Sequence, residues 1–96
     1  MYTSDKKILE LVEILKATKK IDSDKEFCEI IEIDPGNFAK IKKSENYPNQ
    51  NYHFTSLHIE NICKKLKVNS NWIFDLSDII YNKRRVTTPV TLGSIN

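Results

Sequence analysis

Four polar side chains between positions 37 and 43 belong to the types that proteins use to hold nucleic acid. They are Asn37, Lys40, Lys42 and Lys43. A lysine ammonium can donate to guanine O6 and N7 or to a phosphate oxygen, and an asparagine amide can pair with the edge of adenine. The chemistry that these residues support is therefore recognition of a nucleic acid rather than a covalent reaction.

A helix start lies upstream of these side chains. Ser23 and Glu26 have the spacing of a capping box, in which the hydroxyl and the carboxylate each accept a hydrogen bond from a backbone N–H group. Phe27, Ile30 and Ile31 follow with the i, i+3, i+4 spacing of an apolar helix face. We therefore predict a helix that begins after Ser23 and buries this face.

A second helix start comes directly after the first helix. The Asp34 carboxylate can cap it, and Pro35 suits the first helical position, where its missing N–H group has no partner to lose. Phe38 and Ile41 would then face inward. Two helices of about two turns each, joined by about three residues, form a helix-turn-helix.

This pattern resembles the helix-turn-helix of the lambda-repressor-like, or Xre/Cro, family of DNA-binding regulators. The resemblance rests on the segments Phe27-Cys28, Ile31-Glu32-Ile33-Asp34 and Phe38-Ala39-Lys40-Ile41. Further along the chain, Asn71-Trp72-Ile73-Phe74 is similar to the last helix of phage-type repressor domains. The resemblance implies an all-α, compact five-helix domain with a short C-terminal tail. It also implies that the protein binds a double-stranded DNA operator as a homodimer.

Glu32 departs from the family pattern, which has a left-handed glycine at this turn. A residue other than glycine costs roughly 1 kcal/mol there if the turn is kept. We expect either an altered turn or strain that the core absorbs.

The resemblance also assigns roles to individual residues. The base-reading positions of the family fall on Pro35, Gly36 and Lys40, with Asn37 beside them. Gly36 has no side chain to read a base, but it would let the helix lie deep in the major groove. Phosphate contacts are expected from Lys25, Lys42, Lys43, Ser44 and Asn46. The alternative for the lysines is that they simply solvate the end of the helix.

The charge distribution argues against DNA binding. The net charge is only +2, and residues 22–34 hold six acidic residues and one basic residue. An acidic first helix would repel the phosphate strand that this helix normally approaches. The alternative function is a protein-interaction module of the antitoxin, antirepressor or host-takeover type. Its acidic helix, residues 24–31, would contact a basic partner without binding DNA.

The remaining helices are expected to complete a domain that covers residues 1–82. We predict a helix from a Ser4 cap to Lys19, a polar loop over residues 44–54 and a helix from a Thr55 cap to about Lys67. A last helix would start at Ser70 or Asn71 and place Trp72 in the core.

The end of the chain holds more apolar residues than a small monomer needs. Leu76, Ile79, Ile80 and Tyr81 are assigned to the last helix, where they would either close the core or form a dimer contact. Residues 83–96 change composition and are expected to be a basic tail or a dimerisation arm.

No set of residues predicts an enzyme, a metal site or a cofactor. Cys28 and Cys63 with His53 and His58 match no zinc spacing, and both cysteines fall on apolar helix faces. Two glycines are too few for a phosphate-binding loop, and the carboxylates are all expected at the surface. No apolar run reaches the length of a membrane span. We therefore expect a cytoplasmic protein, in a bacterial or phage-infected cell, with no membrane contact.

Overall fold

The computed structural model of the chain describes residues 2–44, 46 and 52–82, which form five helices. These helices are α1 (Thr3–Ala17), α2 (Asp24–Ile31), α3 (Pro35–Ser44), α4 (Ser56–Lys65) and α5 (Ser70–Ile73). Within the described residues there is no strand, and the one β interaction is an isolated antiparallel bridge between Val68 and Tyr81. The all-α prediction is confirmed. The predicted tail at 83–96 lies outside the described residues.

The core forms where α2 packs against both α3 and α4, and where α1 packs against α5. α1 contributes the apolar stripe of Ile8, Leu11, Val12 and Leu15, which is fully or almost fully buried. This stripe has the i, i+3, i+4 spacing of an amphipathic helix. Trp72 of α5 is also buried, so its prediction as a core residue is confirmed.

The starts of α2 and α4 follow the predicted capping residues. The Ser23 hydroxyl accepts from the N–H of Glu26 at 3.2 Å, and the Thr55 hydroxyl accepts from the N–H of His58 at 3.3 Å. The other half of the Ser23 capping box is different. The Glu26 carboxylate accepts from the N–H of Asp22 at 2.8 Å rather than from that of Ser23.

The start of α1 differs from the prediction, because Ser4 is not its cap. Ser4 lies inside the helix, and Tyr2 is the N-cap residue. The backbone N–H group of Tyr2 has no partner within the helix. It donates to the carboxylate of Asp5 at 3.3 Å. The helix also ends earlier than predicted, at Ala17, because Lys19 adopts a left-handed backbone with φ 62°.

Asp5 is the side chain whose burial differs most from the prediction. The expectation that every carboxylate lies at the surface fails here, because Asp5 is completely buried. It also accepts from the backbone N–H of Phe54 at 3.0 Å, and it lies 2.6 Å from Nδ1 of His53. These contacts satisfy a charge that would be strongly destabilising if it were buried alone. They fasten residues 53–54 to the first turn of α1.

The prediction of a long last helix that includes Ile80 is wrong. α5 ends at Ile73, and Asp75 turns the chain with a left-handed φ of 62°. The chain then returns toward the end of α4, where the N–H of Asn69 donates to Ile80 O at 2.7 Å and the N–H of Asn82 donates to Lys67 O at 2.9 Å. Pairing with this earlier segment replaces the backbone hydrogen bonds that a helix would have formed.

Four of the five helices are followed by a left-handed residue that is not glycine. Lys19, Glu32, Lys67 and Asp75 have φ values of 62°, 63°, 58° and 62°. Glu32 therefore keeps the left-handed turn between α2 and α3, so the strained alternative foreseen from the sequence is the one observed. The N–H of Ile33 donates to Cys28 O at 3.0 Å across this turn.

Glycine at position 32 should relieve this strain. The matched control is Glu32→Ala, because both variants lose the 2.8 Å ion pair between Glu32 and Lys65. We expect E32G to be more stable to urea than E32A by roughly 1 kcal/mol, since glycine adopts the left-handed backbone without a Cβ clash. Equal free energies of unfolding for the two variants would show that the turn is not strained.

Candidate nucleic-acid interface

The turn between α2 and α3 ends at the residue that caps α3. The Asp34 carboxylate accepts from the N–H of Asn37 at 3.1 Å, as predicted for a cap, and α3 begins at Pro35. A Cβ at position 36 would lie 2.8 Å from Oδ2 of Asp34, so a larger residue there would require the capping side chain to shift. The structure thus indicates a local reason for glycine at this position, in addition to the predicted approach to DNA.

The inner face of α3 is anchored by aromatic contacts. Phe38 lies between Phe27 of α2 and Phe54, with ring centroids 5.9 and 6.0 Å away and tilted geometry in both pairs. Such tilted pairs are a favourable arrangement of aromatic rings. Ile41 is buried one turn later. These contacts fix which face of α3 points outward.

The outer face of α3 presents the predicted polar residues. Asn37, Lys40 and Lys43 are all exposed and follow one another at intervals of three residues, so they share one side of the helix. Lys40 is partly held in place, because its ammonium lies 5.4 Å from the ring centroid of Tyr52. An exposed cation–π contact of this kind contributes about 0.5–1 kcal/mol.

Lys42 is paired with a carboxylate of α2. Its ammonium lies 2.9 Å from one oxygen of Asp24, and the ammonium of Lys16 lies 2.9 Å from the other. The hydrogen bonds from Lys42 and Lys16 lower the pKa of Asp24 below its usual value. One predicted phosphate ligand therefore already has an anionic partner within the protein.

The other predicted phosphate ligands have different environments. Lys25 and Asn46 are exposed. Ser44 is buried, and its hydroxyl donates to Ile41 O at 2.7 Å, so this side chain is occupied inside the protein. The prediction of a phosphate contact from the Ser44 hydroxyl does not fit this placement, because the Ser44 side chain faces the core.

A groove of about 350 Å³ lies between α2 and α3, on the open side of the turn. Its lining combines apolar atoms of Pro35, Phe38 and Ala39 with the lysines at positions 25, 42 and 43. Cys28 also lines it, but burial raises the pKa of this thiol, so it remains protonated and unreactive near neutral pH. Lys43 belongs both to this groove and to the outer face of α3.

Sequence reasoning missed a second group of residues beside α3. The segment Tyr52–Thr55 and the first turn of α4 border the side of α3 that carries Asn37. His58 is held there by the N–H of Thr55, which donates to its Nδ1 at 3.0 Å. The Thr55-x-x-His58 spacing is that of a capping box, and it could have predicted the position of His58. Nothing local indicated that Tyr52 would contact Lys40.

No group of three or more His, Cys, Asp or Glu side chains in the described part of the chain could hold a metal ion. Cys28 and Cys63 are free thiols, and burial also raises the pKa of Cys63. None of the helices in this part of the chain has both the length and the apolar character needed to cross a membrane.

Comparisons of the chain with protein-family models, with curated proteins and with solved structures find no match. Functional inference therefore proceeds from the contacts and charges described above.

The capping histidine of α4 should make stability depend on pH. Burial lowers the pKa of His58 below its usual 6.5. The unfolded chain therefore takes up the proton first, and the stability that neutral His58 contributes above pH 6.5 is lost as the pH falls through its folded-state pKa. Glutamine keeps the cap and does not titrate.

We expect the wild type to lose unfolding free energy relative to His58→Gln when urea titrations at about pH 7.5 are repeated at about pH 5. Parallel pH profiles for the two proteins would contradict this assignment. All other titrating groups are common to both proteins, so the difference isolates position 58.

Proposed function

We propose that the protein is a sequence-specific DNA-binding regulator of the repressor type, with a lambda-repressor-like fold, that inserts α3 into the major groove. The observation that carries this proposal is the division of α3 into two faces. Phe38 and Ile41 are buried, while Asn37, Lys40 and Lys43 are exposed together. A regulator with this fold would act in the cytoplasm of a bacterial or phage-infected cell.

In this proposal the residues of α3 have distinct tasks. Lys40 donates to guanine, and Asn37 pairs with adenine. Lys43 and Lys25, which are exposed, hold phosphates, and Asn46 can add an amide contact. Lys42 contributes only in part, because Asp24 competes for its ammonium.

The proposed regulator binds its operator as a homodimer. Support comes from three large apolar side chains that remain exposed near the end of the described chain: Phe74 at 49%, Leu76 at 76% and Ile79 at 55%. A second copy that covers these side chains would remove apolar surface from water. Two α3 helices would then reach two half-sites of an operator.

The alternative function is a protein-interaction module, and the exposed carboxylate of Glu29 on α2 favours it. Asp24 would contribute less to a contact with a basic partner, because it already pairs with Lys16 and Lys42. A salt titration separates the two functions. Binding through several phosphates weakens steeply with salt, whereas a module without DNA function has no duplex affinity even at low salt.

Lys40 should contribute to sequence discrimination. On an operator selected from a random pool, we expect Lys40→Ala to lose about 1–3 kcal/mol of binding free energy relative to a scrambled duplex. Fluorescence anisotropy on both duplexes measures this difference.

Two further lysine variants serve as controls for that measurement. Lys43→Ala should weaken both duplexes alike, and Lys64→Ala removes one exposed charge from α4. If Lys40→Ala also weakens the selected and scrambled duplexes equally, the base-reading role of Lys40 is wrong.

Removal of the ion pair between Lys42 and Asp24 should increase the affinity of the protein for all duplexes. Asp24→Asn removes the negative charge that pairs with Lys42 and Lys16. We expect tighter binding and a salt dependence of the logarithm of affinity that is steeper by about 1, because one more phosphate is neutralised. Anisotropy titrations over a range of salt concentrations measure both quantities.

The matched control is Asp22→Asn, which removes one exposed negative charge just before α2. An equal effect of the two variants would indicate a general charge effect. Unchanged or weaker binding by Asp24→Asn would show that Lys42 does not contact phosphate.

A further inference from the structure

A pocket of about 230 Å³ lies beside α3, between this helix, the segment Tyr52–Thr55 and the first turn of α4. The buried side chains of Ile33 and Ile41 provide apolar lining, and Tyr52 adds an aromatic ring. The volume is below the roughly 300–1,000 Å³ of pockets that enclose drug-sized ligands. It therefore suits one flat heterocycle with the rest of the ligand outside.

His58 offers this pocket a hydrogen-bond donor. The N–H of Thr55 donates to Nδ1 of His58 at 3.0 Å, so Nδ1 is an acceptor. Burial lowers the pKa of His58, which keeps the imidazole neutral at pH 7. A neutral imidazole whose Nδ1 accepts must carry its proton on Nε2. The group that His58 can offer to a ligand is thus an N–H.

Asn37 offers a donor and an acceptor together. Its backbone N–H is used by Asp34, but its side-chain amide makes no hydrogen bond to another residue of the described segments. An amide can pair through both atoms with a base edge that offers a donor beside an acceptor, such as N6 and N7 of adenine. Every unpaired base has such an edge, so the polar groups of the pocket match a nucleobase in general.

Tyr52 and Lys40 extend the match to a nucleotide. Tyr52 is 39% exposed, so part of this residue is open for a base to stack on it. The Lys40 ammonium lies 5.4 Å from the ring centroid. A phosphate attached to a base that lies on Tyr52 would come within reach of this charge.

We propose that this pocket binds the base of an unpaired nucleotide, with Asn37 and His58 at the base edge, Tyr52 against its face and Lys40 at its phosphate. Two sources present the same chemistry, namely a free mononucleotide and an unpaired nucleotide of a nucleic-acid strand. In a duplex, the base would not be free to enter. Asn37 and Lys40 are also the proposed base readers of a duplex, but binding in this pocket does not require duplex recognition.

NMR titration of the full chain with adenosine monophosphate tests the site without any duplex present. We expect saturable shifts of the Asn37 side-chain amide, the His58 ring and the Tyr52 ring. The guanine, cytosine and uracil monophosphates should shift the same three side chains, whereas inorganic phosphate should not. An oligodeoxyadenosine strand and the same strand in a duplex serve to separate the two sources.

Variants at the pocket should weaken this binding without unfolding the protein. Loss of the bidentate pair in Asn37→Ala and loss of stacking in Tyr52→Ala should each weaken it by about tenfold, judged from the usual contributions of such contacts. Tyr52→Phe keeps the ring and should bind normally. Asn71→Ala removes an exposed amide from α5 and is the matched control. Thermal unfolding of every variant verifies the fold.

Each outcome has a defined consequence. Binding of the free nucleotide, or of the single strand alone, supports the pocket and identifies its source. The proposal is overturned if neither binds or if inorganic phosphate alone reproduces the shifts. It is also overturned if Asn37→Ala binds as well as Asn71→Ala. None of these results depends on whether the protein binds duplex DNA.

Discussion

The buried carboxylate of Asp5 constrains the whole candidate interface. A charge with no exposed surface must be matched by donors, and the donors come from His53 and the backbone of Phe54. This requirement fixes the segment before α4, so Phe54 packs on Phe38 and Tyr52 lies beside Lys40. The side chains that border the outer face of α3 are therefore positioned by a contact at the opposite end of the sequence.

Charge is distributed unevenly over the two helices that meet at the turn. α3 carries exposed cations, whereas the carboxylates of α2 partly neutralise them through Asp24. A duplex that approaches the outer face of α3 would meet Lys40 and Lys43 directly, but it would meet Lys42 only in competition with a carboxylate. The ion pairs of Asp24 would therefore influence both proposed functions, duplex binding through α3 and protein contact through α2.

Local signals predicted much of this fold, and long-range contacts account for the errors. Ser23, Asp34 and Thr55 cap helices as their spacing indicated, because a cap involves residues only two or three positions apart. Asp5 pairs with His53 across 48 positions, which no local pattern reveals. The helix predicted through Ile80 fails for a similar reason, since Tyr81 pairs with Val68. Asn37 and Lys40 were placed on an exposed face correctly, but the pocket beside them depends on Tyr52 and His58 and could not be foreseen.

The left-handed residues after α1, α2, α4 and α5 are all charged. Two of them bind lysines, Glu32 at 2.8 Å from Lys65 and Asp75 at 3.5 Å from Lys7. Glycine would adopt this left-handed backbone with less strain, but it would place no charged side chain at these corners. By accepting about 1–2 kcal/mol of strain at each corner, the protein places a charged side chain there. At Glu32 and Asp75 that side chain ties the corner to α4 and to α1 through an ion pair, which glycine could not do.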